Sequence, residues 1–227
     1  MKYFHELQEG LQDPNIFKAF FLAGGPGSGK SYVVKKTTGG TGLKIVNSDD
    51  VFEKLIKKAN LSLKMPDDES DEREPLRQRA KKTTAKRQDN YLEERLGLII
   101  DGTGSSYDKI VKQSIKLRQL GYDTHMIYVN TSLDTALERN ANRPRSVPKS
   151  VAIIKWKEVQ ANMGKFSQHF KRNFIVVDNN DSKEDVMTPV FKQVKGLLKY
   201  KVDSPLAHEW VQNQMKLRGI TKTPKGW

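Results

Sequence analysis

The sequence predicts an α/β fold with a central parallel sheet of about five strands flanked by helices, followed by a small C-terminal helical extension. Three observations predict it. Short apolar runs recur along the chain, and each is followed by a turn and an amphipathic stretch, which is the pattern of consecutive βα units. A glycine-rich segment directly follows the first apolar run. The length of 227 residues suits one sizeable domain with a short appendage.

The individual elements follow from this pattern. The apolar runs predict strands at residues 17–23, 43–46, 98–100, 124–129 and 174–177. Helices are predicted at residues 29–36, 51–60, 76–96, 107–120, 133–142, 149–162, 182–201 and 205–215. Gly97 and Gly121 are predicted to end two of these helices, and Ser182 with Asp185 has the sequence pattern of a capping box. The acidic segment 66–72 is predicted as a linker. We expect residues 1–180 to form the main domain, and residues 181–227 a helical extension with a loose tail from residue 221.

Composition and charge exclude several protein classes. The formal net charge is +13 and the sequence pI is about 9.7. The electrostatic field of such a positive charge attracts polyanions, so nucleic acid or a phosphorylated substrate is an expected partner. The alternative is a basic protein that binds only a nucleotide. No apolar run approaches the ~20 residues of a membrane-spanning helix, and the N-terminus shows no secretion signal. The four histidines lack metal-ligand spacing, so we expect no histidine metal site. The chain has no cysteine, which fits a reducing compartment, and we therefore expect a cytoplasmic protein without a membrane partner.

The glycine-rich segment satisfies the G-x-x-x-x-G-K-[ST] pattern of a phosphate-binding P-loop. Its residues are Gly24, Gly25, Pro26, Gly27, Ser28, Gly29, Lys30 and Ser31. Glycines let the backbone curl so that successive N–H groups point at phosphate oxygens, and the N-terminus of the next helix adds its positive dipole end. Lys30 would reach the β- and γ-phosphates of ATP, and the Ser31 hydroxyl would ligate Mg²⁺. The sequence therefore predicts a P-loop NTPase of the nucleotide-kinase type.

An acidic pair follows the second predicted strand. Asp49 and Asp50 lie at its carboxyl end, which is the edge where open parallel sheets bind ligands. A carboxylate at this place can accept the proton of an attacking hydroxyl and orient that hydroxyl toward the γ-phosphate. The alternative is that one of the two residues only caps the next helix. Beside a P-loop, the catalytic interpretation is favoured.

A third carboxylate, Asp101, ends the third predicted strand. This is the Walker-B position, where an aspartate holds Mg²⁺ directly or through water, and helix capping is again the alternative. The segment from Asp101 to Gly104 also fits the D-x-x-G pattern of GTPases. No N-K-x-D guanine-binding motif follows it, so a GTPase is disfavoured.

Two basic segments are candidate binding sites for phosphate groups. Arg139, Arg143 and Arg145 lie at a predicted helix end and in the loop after it, where their guanidinium groups could close over the nucleotide and neutralise charge during transfer. Arg139 and Arg143 would share a face if the helix continued. A basic stretch in the predicted helix 76–96 could guide an anionic acceptor; its cations are Arg77, Arg79, Lys81, Lys82, Lys86 and Arg87. A solvated basic surface is the alternative for both segments.

These motifs together resemble the kinase domain of phage polynucleotide kinases, and the resemblance covers about residues 17–177. It is carried by the P-loop and by the segments Val46–Asp50, Ile99–Thr103, Glu138–Arg143 and Val147–Pro148. Zeta-toxin-type kinases, which phosphorylate nucleotide sugars, look similar at the P-loop, at Asn47-Ser48-Asp49 and at Asp101-Gly102-Thr103. The resemblance implies that Asp49 is the catalytic base, that Arg143 stabilises the transition state and that Arg139 lies beside the nucleotide. Polynucleotide kinases carry an arginine shortly after the catalytic aspartate, where this chain has Phe52, and no phosphatase signature is present.

The sequence thus predicts a kinase that moves the γ-phosphoryl group of ATP, with Mg²⁺, to a hydroxyl acceptor. A polynucleotide 5′-hydroxyl or another nucleotide-type substrate is the expected acceptor. A nucleotide-sugar kinase of the zeta-toxin kind is one alternative, and a nucleic-acid-binding ATPase without phosphotransfer is another.

Overall fold

The computed structural model describes residues 10–180 and 187–223. Its strands are β1 (Lys18–Ala23), β2 (Lys44–Val46), β3 (Leu98–Ile100), β4 (Asp123–Asn130) and β5 (Phe174–Asp178). Its α-helices are α1 (Lys30–Thr38), α2 (Ser48–Lys58), α3 (Ser70–Glu93), α4 (Tyr107–Gln119), α5 (Leu133–Ala141), α6 (Lys149–Phe170), α7 (Met187–Lys199) and α8 (Pro205–Leu217). The capping box predicted at Ser182 and the tail beyond residue 223 lie outside the described residues. No described helix is long and apolar enough to cross a bilayer.

The five strands form one parallel sheet in the order β2-β3-β1-β4-β5. The predicted α/β fold with a five-stranded parallel sheet is therefore confirmed. Strand β1 lies at the centre, where Phe20 is opposite Ile99 of β3 and His125 of β4. Because parallel strands end at the same edge, the segments that follow β1, β2 and β3 come together there.

Helices cover both faces of the sheet. On one face, α4, α6 and α8 pack against β1 and β4 around Phe21, Tyr128 and Phe166. On the other face, α1 and α7 pack against Phe20 and Val129. The two C-terminal helices thus contribute apolar residues to the same clusters as the sheet. The division of the chain at residue 180 stays a prediction.

A third apolar cluster joins α2 to α3, outside the two faces of the sheet. Its buried members are Phe52, Ile56 and Ala80. Helix α3 begins at Ser70, so the prediction of a linker through residue 72 is wrong at its end. Acidic side chains favour the N-terminal turn of a helix, and Asp71 and Glu72 occupy that turn.

Two helix features also differ from the prediction. Helix α6 continues past residue 162 to Phe170, because Phe166 and Phe170 are buried against the sheet. Pro75 lies inside α3, where it removes one backbone donor. Pro75 is exposed, so water can bind the carbonyl that loses its partner.

His125 is a buried histidine in the centre of the sheet. Its ring stacks on that of Phe20 at 4.7 Å, and neither ring nitrogen has a hydrogen-bond partner among the described residues. Burial, with the nearby Lys18 and Arg118 charges, lowers the pKa of His125 from 6.5 to about 3. The unfolded chain takes up a proton near pH 6.5 and the folded chain does not. The free energy of unfolding should therefore fall as pH drops from 6.5 toward 3, by up to about 1.4 kcal/mol per pH unit.

Urea denaturation between pH 7 and pH 4.5 checks this prediction. His125→Phe should lose the contribution of this histidine, so its free energy of unfolding should fall less steeply than that of the wild type. His208→Gln is the matched control, because His208 is exposed on α8. An equal pH dependence of the free energy of unfolding in the wild type and His125→Phe would contradict the proposed contribution of His125.

Candidate active site

The P-loop connects β1 to α1 at the carboxyl edge of the sheet, as predicted. Two of its glycines have positive φ angles and tight surroundings. A Cβ at Gly27 (φ +81°) would lie 1.9 Å from the carbonyl oxygen of Ala136 in α5. A Cβ at Gly29 (φ +84°) would lie 2.4 Å from the side-chain nitrogen of Asn179. The loop is therefore shaped by segments that follow β4 and β5 as well as by its own sequence.

The Lys30 ammonium lies inside the curve of the P-loop. Its Nζ donates hydrogen bonds to the carbonyl oxygens of Gly24 (2.6 Å) and Gly25 (3.2 Å). Burial lowers the pKa of Lys30, and the Asp101 carboxylate acts in the opposite direction. An ammonium in this place faces the position of the β- and γ-phosphates in a P-loop.

Asn47 connects the ends of β2 and β3. Its Oδ1 accepts a hydrogen bond from the backbone N–H of Asp49 (2.8 Å), so Asn47 is the N-cap of α2. Its Nδ2 donates to Asp101 Oδ2 (3.0 Å) and to Asp50 Oδ1 (3.1 Å). Helix α2 consequently begins at Ser48 rather than at residue 51, and the capping role considered for the acidic pair belongs to Asn47. The sequence signal for Asn47 was its place directly after a strand and before an acidic pair.

The three aspartates form an acidic group beside Lys30. Burial raises the pKa of Asp101, and Asp49 and Asp50 add to this effect, while Lys30 opposes it. Burial also raises the pKa of Asp50, with Asp49 the next cause. Among the described residues, no cluster of three or more acidic or histidine ligands could hold a metal alone. Mg²⁺ usually binds one or two protein ligands together with substrate phosphates, and Asp101 with the exposed Ser31 hydroxyl fits that pattern.

The predicted arginines lie at different places around this group. Arg145 Nη2 contacts Asp49 Oδ2 at 2.6 Å. Arg143 follows the end of α5, so it does not share a helical face with Arg139; its charge lowers the pKa of both Lys30 and Asp101. Arg139 donates instead to the carbonyl oxygens of Asn179 (2.6 Å) and Asn180 (3.4 Å).

Asn179 belongs to the candidate site, although no sequence motif indicated it. Its buried side chain donates from Nδ2 to the carbonyl oxygen of Ser28 in the P-loop, at 2.8 Å. Its own carbonyl accepts the Arg139 bond. Asn179 therefore links the end of β5, the P-loop and α5. The only sequence signal for this role was the position of Asn179 shortly after the last strand.

The basic stretch of α3 lies on the helix that packs against α2. Five of its cations are exposed, namely Arg79, Lys81, Lys82, Lys86 and Arg87. Arg77 differs from them, because its guanidinium lies 4.4 Å from the centre of the Phe52 ring. Phe52 follows Asp49 by about one turn of α2, so Arg77 packs on the helix that carries the acidic pair.

Comparison with known protein families gives one match that covers most of the chain. The family described as zeta toxin matches residues 6–188. No curated protein sequence is significantly similar to the chain.

Solved structures show the same fold. A putative kinase from Chloroflexus aurantiacus J-10-fl aligns over 84% of this chain and 98% of its own, with a TM-score of 0.55 and 14% identity. The structure of AvrRxo1-ORF1:-ORF2 with ATP aligns over 82% of this chain and 68% of its own, with a TM-score of 0.55 and 14% identity. At such identities the likeness concerns the fold.

Proposed function

This chain belongs to the zeta toxin family and is a P-loop kinase, and we propose that it transfers the γ-phosphoryl group of ATP to a hydroxyl group of a phosphate-bearing, nucleotide-type acceptor. The family match confirms the predicted resemblance to zeta-toxin-type kinases over most of the chain.

One observation carries the proposal. The segments after β1, β2 and β3 bring Lys30, Asp49 and Asp101 into one electrostatically coupled group, and Arg143 and Arg145 join it from the segment after α5. Within this group, Lys30 and Arg143 are the cations for the transferred phosphate, and Asp49 is the carboxylate for the attacking hydroxyl. Phosphoryl transfer requires positioning and charge neutralisation of this kind.

Each residue has a proposed role in the reaction. Asp49 accepts the proton of the acceptor hydroxyl as its oxygen bonds to the γ-phosphorus, and the bond between that phosphorus and the bridging oxygen of ADP breaks. Lys30 and Arg143 neutralise the charge that moves onto the phosphate oxygens, and Arg139 lies beside the nucleotide. Ser31 and Asp101 would hold Mg²⁺, which neutralises phosphate charge when it is bound.

The acceptor is proposed from the charge of α3. Its exposed cations, with Arg77 beside Phe52, favour an acceptor that carries phosphate groups of its own. A polynucleotide with a free 5′-hydroxyl and a nucleotide sugar both meet this description. Incubation of the protein with γ-labelled ATP and a panel of oligonucleotides, nucleosides and nucleotide sugars tests the proposal. Labelled product from none of them, with ADP release stimulated by nucleic acid, would favour an ATPase instead.

The salt dependence of acceptor binding separates the two acceptors. For a single-stranded polynucleotide, log K should fall by roughly 0.7 per phosphate contact for each tenfold rise in salt concentration. Replacing Lys81, Lys82 and Lys86 with glutamine should flatten this slope and leave ATP affinity unchanged. A nucleotide sugar makes few contacts, so its slope should be shallow in both proteins.

A matched variant controls for the loss of charge. Lys192, Lys195 and Lys199 are exposed on α7, which packs on the opposite side of the sheet from α4 and α6. Replacing them with glutamine removes the same charge and should leave the slope for a polynucleotide near that of the wild type. Equal slopes for the α3 variant and the wild type would mean that the basic stretch is a solvated surface.

A further inference from the structure

The two side chains of the Arg145–Asp49 ion pair differ in their exposure to solvent. The Asp49 side chain is 57% exposed, whereas that of Arg145 is 16% exposed. The two residues are 96 positions apart, and Nη2 lies 2.6 Å from Oδ2. A half-buried arginine side chain therefore contacts one oxygen of a carboxylate whose side chain is mostly open to solvent. Within the part of the chain that the structure describes, Asp49 Oδ1 accepts no hydrogen bond.

The segment that carries Arg145 is fixed at both ends. The buried Asn140 side chain donates to the Val147 carbonyl oxygen (2.8 Å) and accepts from the Val147 N–H (3.2 Å). These two bonds close residues 140–147 into a loop, which we call the arginine loop. Lys64, between α2 and α3, donates to the carbonyl oxygen of Arg143 at 3.2 Å. The arginine loop is thus attached to the α2–α3 unit by Lys64 as well as by Arg145.

A general base needs a defined orientation, and an exposed aspartate in the first turn of a helix has several rotamers available. Fixing Oδ2 restricts Asp49 to rotamers that keep this contact and leaves Oδ1 without a donor among the described residues. That oxygen is then free to accept the proton of the acceptor hydroxyl. Accurate placement of a reacting group contributes to rate without a change in nucleotide affinity.

We infer that Arg145 is a positioning residue, which orients the Asp49 carboxylate toward the acceptor and does not serve as a nucleotide ligand. This role rests on the proposed function, since it requires Asp49 to be the base. It also differs from the role that the sequence suggested for Arg145, which was to close over the nucleotide with Arg139 and Arg143.

A double-mutant cycle tests this role. Arg145→Gln should lower kcat by about 10–100-fold and change the Kd for ATP by less than about threefold, because only the orientation of Asp49 is lost. Arg145→Lys, which keeps the charge, should restore part of the rate. In the Asp49→Asn background, Arg145→Gln should cause little further loss, because residues that act through one another are not additive. Single-turnover transfer of phosphate from γ-labelled ATP to the acceptor that the panel identifies gives the rates, and calorimetry gives the ATP affinities.

Other results would overturn the inference. If Arg145→Gln weakens ATP binding as much as it lowers kcat, Arg145 is a nucleotide ligand. If its effect on kcat is equally large in the wild-type and in the Asp49→Asn backgrounds, it acts independently of the base. The same cycle can be measured on the slow transfer to water, seen as ADP release. A wild-type protein that binds ATP but transfers phosphate neither to an acceptor nor to water would overturn the proposed function itself, and the role of Arg145 with it.

Discussion

Asp49→Asn should lower acceptor phosphorylation by about 10²–10⁴-fold, which is the usual contribution of a general base. The amide cannot take up the proton of the acceptor hydroxyl, but it keeps the shape of the side chain and leaves the P-loop intact. ATP affinity should therefore change little. Turnover with γ-labelled ATP measures the rate, and calorimetry with ATP measures the affinity.

Asp50→Asn is the matched control within the acidic pair. Asp50 accepts a hydrogen bond from Asn47, whereas Asp49 contacts Arg145 through Oδ2 and keeps Oδ1 unbonded among the described residues. Burial raises the pKa of Asp50, and the charge of Asp49 is the next cause. The Asp50 variant should lose much less activity than the Asp49 variant. A greater loss in Asp50→Asn would move the role of base from Asp49 to Asp50.

Lys30→Ala should weaken ATP binding by roughly 100-fold, because a hydrogen bond from a charged group contributes about 1.5–3 kcal/mol and 1.4 kcal/mol is a factor of ten. The variant should still fold, since Lys30 bonds only to carbonyl oxygens of its own loop among the described residues. Calorimetry with ATP tests the affinity, and circular dichroism tests the fold. Lys35→Ala, at an exposed position of the same helix, should bind ATP normally. Unchanged ATP binding in Lys30→Ala would mean that the loop is not a phosphate site.

The strands were predictable because each is a short apolar run between polar turns. Their observed bounds differ from the predicted ones by a single residue in most cases, as in β4, which extends to Asn130. The starts of α4, α5, α6 and α8 match the predicted ones, whereas the starts of α2 and α3 do not, because the residue that caps a helix depends on local geometry. Asn47 rather than an aspartate caps α2, and acidic residues that looked like a linker form the first turn of α3.

Sequence motifs predicted most residues of the candidate site, but they did not predict the contacts between these residues. Arg145 pairs with Asp49 across 96 positions, and Asn179 bonds to Ser28 across 151 positions. The guanidinium of Arg77 packs on the ring of Phe52. Phe52 stands at the sequence position where polynucleotide kinases, which this chain resembles, carry an arginine. Such contacts depend on how the helices pack over the sheet, and periodicity along the chain carries no information about them.

The bond between Asn179 and Ser28 has a consequence for synthesis of the chain. The P-loop is encoded near the start of the sequence, but the side chain that supports it follows the last strand of the sheet. A chain growing on the ribosome therefore completes this loop only after residue 179 has emerged from the exit tunnel. Fragments released before that point contain the whole phosphate-binding motif, and we expect them to lack the loop geometry that the motif needs in order to bind ATP.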